Sequence, residues 1–273
     1  MTLQPVSSGK NTVQSLVKGL KVLEAFSQQR SQMTLAEIAR ATEMDNATVF
    51  RLLNTLEQEG YVIKDSGSRQ FRLSFKVMNL GFVALGHDDL RSQSRPILRS
   101  LVGKINEAAS IGVLDGAEVV YIERVQAGIA RLGIDIRIGS RVPVYSSAIG
   151  QALIAWMPEE EQVRVLESSA RPALTDTTLI RLDDLLERLK QIRKAGFAIS
   201  NQETVSGVYV IACPILDVDQ LPIAAISVAA PVFCRPLEAF VNGAVKPLQE
   251  AAYQIEQMFH ASGSVASQKS GSM

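Results

Sequence analysis

The sequence has few of the residues that most often carry metal, redox or disulfide chemistry. Its 273 residues include two cysteines and two histidines. Cys213 and Cys234 each stand in an apolar stretch, which favours buried thiols over a disulfide framework. His87 and His260 are far apart, and neither has a cysteine or carboxylate neighbour at metal-ligand spacing. We therefore expect no metal site and no cofactor.

Signatures of catalysis are also missing. The sequence contains no nucleophile elbow, Walker A motif or zinc-protease motif. Cys213 precedes Pro214 in an apolar run without a nearby base, which favours an inert thiol over a nucleophile. Asp217 and Asp219 fit a hairpin turn better than a metal site, and the remaining acidic clusters fit the first turns of helices. Of the function classes considered, an enzyme is therefore the least favoured.

The charges balance, and no long apolar run is uninterrupted. The 28 Lys and Arg equal the 28 Asp and Glu, so nucleic-acid binding would require a local patch. The most apolar region, residues 205–234, is broken by two aspartates and three prolines, which excludes a membrane span. The first twelve residues lack the apolar core of a signal peptide. We expect a soluble, cytoplasmic protein of one or two domains.

Residues 12–75 predict a winged helix-turn-helix domain. Residues 13–27 have apolar positions at helical spacing, and Thr34 with Glu37 forms a capping-box pattern that opens a short helix. Asp45 or Asn46 can cap a longer helix over residues 46–58, which Gly60 ends. A Gly-containing turn at residues 65–68 then joins two extended segments into a hairpin.

The longer helix has an outer face suited to DNA. Its inner face carries Val49, Leu52, Leu53 and Leu56, whereas the outer face carries amides, hydroxyls, one cation and an aromatic ring. In a major groove, such an outer face offers Arg51 to guanine and Asn54 to adenine. Threonines would contact phosphates, and the hairpin cations would contact the backbone or minor groove. The candidate DNA-binding residues are Thr34, Asn46, Ala47, Thr48, Phe50, Arg51, Asn54, Lys64 and Arg69.

Residues 1–75 contain nine Lys or Arg and seven Asp or Glu, so this domain is only weakly basic. Affinity for DNA should therefore depend on a dimer that engages two half-sites. A winged helix that binds protein instead of DNA remains the alternative.

The remainder predicts an α+β domain over residues 94–260, after a linker helix over residues 76–93. Residues 75–86 are apolar nearly all round, which suits packing against a partner subunit. Pro96 suits the first turn of a helix that runs to about residue 109. Further helices are expected to stop before Pro158, to span 182–195 and to run to about 259. Strands are expected around the turn at 115–117, over 131–139, and at 208–216 and 222–230. We expect residues 1–11 and 261–273 to be disordered.

Several stretches resemble the IclR family of bacterial transcriptional regulators. They are "TLAEIARATEMDNATVFRLLNTLEQEGYV" with "RQFRLS", then "RIGSRVPVYSSAIGQALIAWMP" and "GFAISNQETVSGVYVIACPILDVDQLPIAAISVAAP", within a likeness that covers residues 12–258. "DNATVFRLLNTL" and "INEAASIGVLDGAEVVYIERVQAG" are most similar to the branch that regulates aromatic-acid catabolism. The resemblance implies a winged helix-turn-helix, a linker helix and a GAF-like α/β effector-binding domain. It also implies that the protein is a homodimer or a dimer of dimers, and that it binds operator DNA and a small organic acid effector. Contact with RNA polymerase is compatible with such a regulator.

The segment "SSAIG", residues 146–150, is the first candidate for ligand binding. It lies between a predicted strand and a predicted helix, where free N–H groups favour an anion and small side chains permit close approach. The resemblance implies backbone contacts at Ala148 and Ile149 and side-chain contacts elsewhere. The candidate effector-binding residues are Ser147, Ala148, Ile149, Gly150, Ser200, Val210, Ser227 and Ala229.

The pocket departs from the family's glyoxylate- and pyruvate-sensing members. Ser200 replaces an acid, Val210 a cysteine, Ala229 a serine and Ala148 a glycine. The more apolar set favours an effector with a hydrophobic body and a carboxylate, such as an aromatic acid. A ketoacid sensor of central metabolism remains the alternative, and each residue alone is also compatible with core packing. Repression or activation, and dimer or tetramer, stay open.

Overall fold

The chain forms two units, Met1–Gly86 and His87–Met273. A computed structural model describes residues 12–27, 29–65, 67–84, 88–126 and 136–262. The expectations for residues 1–11, 131–135 and 263–273, and for His87, lie outside these ranges. Each unit has its own hydrophobic core.

The first unit combines helices with a small antiparallel sheet. Its elements are α1 Gln14–Glu24, β1 Met33–Thr34, α2 Leu35–Thr42, α3 Asn46–Gln58, β2 Val62–Lys64, β3 Gln70–Leu73 and α4 Lys76–Ala84. The strand order is β1-β3-β2, so β2 and β3 form the expected hairpin and β1 adds an edge strand that was not predicted. This arrangement confirms the predicted winged helix-turn-helix.

Local capping fixes the two helices of the helix-turn-helix. The Glu37 carboxylate accepts the Thr34 N–H at 2.7 Å, while the Thr34 hydroxyl accepts the Glu37 N–H at 3.4 Å. Asp45, rather than Asn46, is the N-cap of α3, and its carboxylate accepts the Thr48 N–H at 2.8 Å. After α3, Gly60 adopts a φ of +76° that L-residues seldom tolerate, so the helix ends there.

The second unit is built on a six-stranded antiparallel sheet of order β6-β5-β4-β9-β8-β7. Its elements are α5 Asp88–Ile105, β4 Ala108–Asp115, β5 Glu118–Val125, β6 Arg141–Pro143, α6 Ala148–Ile154, α7 Glu159–Glu167, α8 Leu182–Ala195, β7 Ala198–Asn201, β8 Val208–Leu216, β9 Pro222–Pro231 and α9 Leu237–Ser262. Helix α6 packs against β8 and β9 and also contacts α8, while α5 and α9 pack together and against the sheet. The predicted α+β class is confirmed.

Several expected boundaries were wrong. Helix α4 and the first part of α5 fall within the linker helix expected over residues 76–93, and residues 85–87 between them lie outside the described ranges, so a single linker helix stays a prediction. Pro96 lies inside α5, which begins eight residues earlier, because Leu90, Ser94 and Leu98 bury a narrow stripe within a mostly polar sequence. Helix α5 ends at Ile105 instead of about residue 109, whereas α6 ends at Ile154, before Pro158 as expected.

Three further expectations concerned the C-terminal segment and the two cysteines. Helix α9 extends to Ser262, two residues into the segment expected to be disordered. Cys213 is buried, and burial raises the pKa of its thiol to about 12, so it is an inert thiol. Cys234 is exposed, contrary to expectation, because it lies in the turn after β9 rather than within the strand. Among the described helices, none combines the length and the apolar character needed to cross a bilayer.

Candidate DNA-binding surface and effector pocket

Helix α3 separates core residues from candidate DNA contacts. Val49 and Leu53 are completely buried, whereas Asn46, Ala47 and Arg51 are exposed. Phe50 leaves 48% of its surface in solvent, and Asn54 is half-buried. The outer face of α3 thus presents an aromatic ring and a guanidinium to solvent, where a DNA major groove could reach both.

The two threonines assigned to phosphates are already engaged. The Thr34 hydroxyl donates to the Glu37 carboxylate at 2.8 Å, and the Thr48 hydroxyl donates to the Asp45 carboxylate at 2.7 Å. Two hydrogen bonds from Thr48 hold the pKa of Asp45 below its ordinary value. The bond from the Thr48 hydroxyl has the larger effect, and the bond from the Thr48 N–H has the smaller one. A carboxylate therefore lies at the N-terminus of each of α2 and α3, and a phosphate bound there would meet its negative charge.

The hairpin presents its two candidate cations at its tip. Lys64 and Arg69 are exposed, and Arg69 adopts a φ of +56° in the turn. The Asp65 carboxylate accepts the N–H groups of Gly67 at 3.0 Å and Ser68 at 2.7 Å, which stiffens the turn. The ammonium of Lys64 lies 5.6 Å from the centre of the Phe71 ring.

A cavity of about 310 Å³ lies in the second unit. This volume is at the lower end of the range typical of small-molecule pockets. Seven of the eight predicted effector-binding residues line it, namely Ser147, Ala148, Ile149, Ser200, Val210, Ser227 and Ala229. Gly150 is not among the lining residues. A Cβ on Gly150 would come within 2.5 Å of the Val144 Cα, so glycine is needed there for backbone packing.

The sheet supplies a polar row to the cavity. Ser227 pairs with Ser110 across β9 and β4, and Ser110 pairs with Arg124 across β4 and β5. Directly paired residues of antiparallel strands have side chains on the same face. All three residues line the cavity, and an Arg124 guanidinium N–H donates to the Ser110 hydroxyl at 2.8 Å.

A β-bulge explains why sequence analysis missed Tyr121 and Arg124. Strict alternation along β5 would place Tyr121 and Glu123 on one face, with Arg124 on the other. The register instead pairs Gly112 with Tyr121 and Ser110 with Arg124, which leaves Ile122 as an extra residue. Tyr121 and Arg124 therefore share the cavity face. No local feature of "YIERV" announces this shift.

The start of α6 offers less to an anion than the sequence suggested. The Ser147 hydroxyl accepts the Gly150 N–H at 3.2 Å and donates to the Pro143 carbonyl at 2.6 Å. On the adjacent wall, the hydroxyls of Ser200 and Thr204 donate to the Ser146 carbonyl at 3.4 and 2.7 Å. Several polar groups of this wall are thus engaged in holding the backbone.

The charged side chains among the described lining residues are Arg124 and Arg141, and no described carboxylate lines the cavity. Arg141 forms ion pairs with Asp115 and, at 3.2 Å, with Glu118. Burial raises the pKa of Tyr121 to about 12, although nearby Arg124 acts in the opposite direction, so its hydroxyl stays protonated at neutral pH. Two guanidinium groups and a protonated phenol are therefore among the polar groups that line the cavity.

A winged helix-turn-helix unit joined to a unit with a small-molecule cavity defines the class of DNA-binding regulators with a sensor domain. Residues 15–66 match the IclR helix-turn-helix domain, and residues 82–257 match the domain described as bacterial transcriptional regulator IclR C-terminal. The chain belongs to the IclR family of transcriptional regulators, which confirms the resemblance. It is a regulator and not an enzyme.

Three proteins illustrate the likeness. The chain is 32% identical over 245 residues to the HTH-type transcriptional regulator KdgR of Escherichia coli, with 90% of this chain and 92% of KdgR covered. It is 32% identical over 231 residues to the Pca regulon regulatory protein of Pseudomonas putida, with 84% and 78% covered. The crystal structure of an IclR homologue complexed with 4-hydroxybenzoate, from Microbacterium hydrocarbonoxydans, gives a TM-score of 0.78 at 26% identity, with 90% and 99% covered.

Proposed function

We propose that the protein controls catabolic genes in response to a small carboxylic acid with an apolar body, of which an aromatic acid is the best candidate. The observation that carries this proposal is the cavity beneath α6, because valines, isoleucines and alanines line it together with arginine and hydroxyl groups. A solved homologue holds 4-hydroxybenzoate, which supports an effector of this class.

A ketoacid such as glyoxylate or pyruvate is the second candidate. Ala229, Val210 and Ser200 form a lateral row across β9, β8 and β7, and two of these side chains are apolar. A ligand of two or three carbons would leave this apolar row without contacts, at a cost in dispersion energy. We therefore rank the ketoacid below the aromatic acid.

The proposed DNA-binding set has a core and a periphery. Asn46, Ala47, Phe50, Arg51 and Asn54 would enter the major groove on α3, and Arg51 and Asn54 would contact base edges. The cations and threonines of the set, Lys64, Arg69, Thr34 and Thr48, would contact the phosphate backbone. We rank the two threonines lower because their hydroxyls already donate to carboxylates.

We further propose a cytoplasmic homodimer, or a dimer of dimers, that places two copies of α3 in successive major grooves of an imperfect palindrome. The exposed apolar side chains of α4, Met78, Leu80 and Val83, together with Phe75 before it, suit a second copy of the chain. Effector binding would shift the populations of two dimer arrangements, and contact with RNA polymerase is compatible with this mode of action.

Calorimetric titration of the full-length protein tests the effector. The panel is 4-hydroxybenzoate, protocatechuate, benzoate, glyoxylate and pyruvate. We expect one aromatic acid to bind, and we expect Ser227→Leu to weaken it by filling the cavity. Ser168→Leu, an exposed position at the end of α7, is the control. Binding of only glyoxylate or pyruvate would overturn the aromatic assignment. Absence of binding in a protein that binds DNA would contradict the sensor role.

A further inference from the structure

Three buried hydroxyl groups of the sheet line the cavity and keep their protons free for a ligand. They belong to Ser110, Tyr121 and Ser227, on β4, β5 and β9, and each of these residues is 5% exposed or less. The Ser110 hydroxyl accepts a hydrogen bond from the Arg124 guanidinium, but none of the three hydroxyls donates to another residue within the described ranges.

The Tyr121 hydroxyl has neither a donor nor an acceptor among the residues that the structure describes. The bulge at Ile122 pairs Tyr121 with Gly112, two residues after Ser110 on β4, so the phenol and the serine hydroxyls lie on one face of the sheet. A buried phenol without a hydrogen bond costs free energy that a phenylalanine would not. The partner of this hydroxyl therefore comes from the contents of the cavity.

We propose that the Tyr121 hydroxyl donates a hydrogen bond to the carboxylate of the effector, beside the hydroxyls of Ser110 and Ser227. The inference rests on the proposed function, because it concerns the same pocket and the same class of ligand. A carboxylate accepts through two oxygens, and hydrogen bonds to a charged acceptor are roughly twice as strong as those between neutral groups. Three donors on neighbouring strands therefore suit a carboxylate better than a ring hydroxyl, which is a neutral acceptor.

The phenol keeps its proton where a carboxylic acid has lost its own. Burial raises the pKa of Tyr121 to about 12, whereas an ordinary carboxylic acid has a pKa of about 4. At neutral pH the phenol is therefore a donor and the effector an ionised acceptor. Arg124 and Arg141 also line the cavity, and the role of Tyr121 does not depend on a contact between either guanidinium and the ligand.

Three other lining hydroxyls are already donors. Those of Ser147, Ser200 and Thr204 each donate to a backbone carbonyl. A carboxylate bound at this wall would have to take these protons from the backbone. We therefore expect the carboxylate at the sheet hydroxyls and the apolar body of the effector against the lining valines and isoleucines.

Tyr121→Phe removes one oxygen atom and keeps the ring, so it tests the hydrogen bond directly. Calorimetry on the full-length protein uses benzoate and 4-hydroxybenzoate as probes, which share a carboxylate and differ in the ring hydroxyl. We expect Tyr121→Phe to weaken both by on the order of 10- to 100-fold. Tyr253→Phe makes the same change on α9, at a tyrosine that is 60% exposed and does not line the cavity, and should leave both affinities unchanged.

Thermal unfolding without ligand separates binding from a structural role. Because no described residue bonds to the Tyr121 hydroxyl, Tyr121→Phe should unfold at the same temperature as wild type or at a higher one. A lower unfolding temperature for this variant, with Tyr253→Phe unchanged, would show that the hydroxyl supports the fold and would overturn the inference.

The binding outcomes separate this inference from the proposed function. If wild type binds the acids and Tyr121→Phe binds them equally well, the sensor role stands and the role of Tyr121 is overturned. If Tyr121→Phe weakens 4-hydroxybenzoate but not benzoate, the phenol contacts the ring hydroxyl, which overturns the carboxylate contact. If wild type binds no acid of the panel, the proposed function fails, and the inference fails with it.

Discussion

Tyr121 and Arg124 lie three residues apart in β5, yet both side chains face the cavity, because Ile122 forms a bulge between them. The same bulge turns Glu123 to the opposite face of the sheet, where it accepts a hydrogen bond from the Arg91 guanidinium at 3.0 Å. Arg91 belongs to α5, so the bulge at Ile122 affects contacts on both faces of the sheet. It directs a phenol and a guanidinium into the cavity and ties the strand to the helix behind it.

Gly150→Ala should destabilise the second unit. The new methyl group would lie 2.5 Å from the Val144 Cα and 2.7 Å from the Val144 carbonyl oxygen, and backbone atoms cannot move aside as a flexible side chain can. Overpacking of this kind costs about 1–3 kcal/mol in the free energy of unfolding. Thermal unfolding followed by circular dichroism provides the measurement.

Gly243→Ala is the matched control, because a Cβ at this exposed position of α9 meets no atom within 4 Å. Alanine is preferred to glycine inside a helix, so this change should stabilise the protein by about 0.5–1 kcal/mol. Equal loss of stability in both variants would contradict the proposed role of the close approach at Gly150.

Arg51→Ala should weaken operator binding without disturbing the fold. Arg51 is exposed on α3, and its loss leaves the buried Val49 and Leu53 in place. Loss of a bidentate base contact costs about 1–3 kcal/mol, or roughly 5- to 150-fold in affinity, and should relax the preference at one base position. Fluorescence anisotropy on a duplex selected from a random library provides the measurement.

Arg164→Ala removes the same charge from an exposed site of the second unit and should leave DNA affinity nearly unchanged. If both arginine variants bind the duplex like wild type, Arg51 does not contact a base. If both weaken it to the same degree at all sequences, the effect comes from net charge alone.

Asp45→Asn should alter the acid stability of the first unit. Asparagine still caps a helix, but it loses the charge that the Thr48 hydroxyl and N–H stabilise. The pKa of Asp45 is held below 3.8 in the folded state, so its charged form contributes stability above that pH. This contribution is lost as the pH falls through the lowered pKa.

Hydrogen exchange over residues 34–58, measured across pH with correction for the intrinsic exchange rate, checks this prediction. Wild type should be better protected than Asp45→Asn at pH 6, and the difference should shrink as the pH falls below 3.8. A difference that is the same at pH 6 and pH 3 would show that the charge of Asp45 is not its source.

Leu80→Glu should reduce self-association. Leu80 is 56% exposed on α4, and a carboxylate there could not be buried against a second copy without a large desolvation cost. Asn79→Glu is the control, because it adds the same charge at an exposed neighbouring position. Sedimentation should give a lower mass for Leu80→Glu alone. Unchanged mass for both would remove α4 from the interface.

Features set by neighbouring residues were predictable from sequence. The capping box of Thr34 and Glu37 and the stop of α8 at Gly196, which has a φ of +82°, each depend on a few adjacent residues. The candidates in the segment 146–150 came from its place between a strand and a helix and the other pocket residues from the family resemblance, and seven of the eight line the cavity. Neither the local sequence nor the family resemblance predicted the bulge at Ile122 or the position of Pro96 inside α5. The bulge depends on strand pairing, and the start of α5 depends on packing against distant segments.

The most direct test of a ligand-responsive regulator is the affinity of the full-length protein for its selected duplex, measured by anisotropy with and without a saturating aromatic acid. We expect the duplexes selected from the library to be enriched in an imperfect palindrome. We expect the acid to change the affinity for this duplex by about 5- to 150-fold. Linkage requires the duplex to change the affinity for the acid by the same factor. If an acid binds the protein but the affinity for the operator stays the same, at both trace and excess concentrations of duplex, the effector site and the DNA-binding site are not coupled. This result would contradict the account.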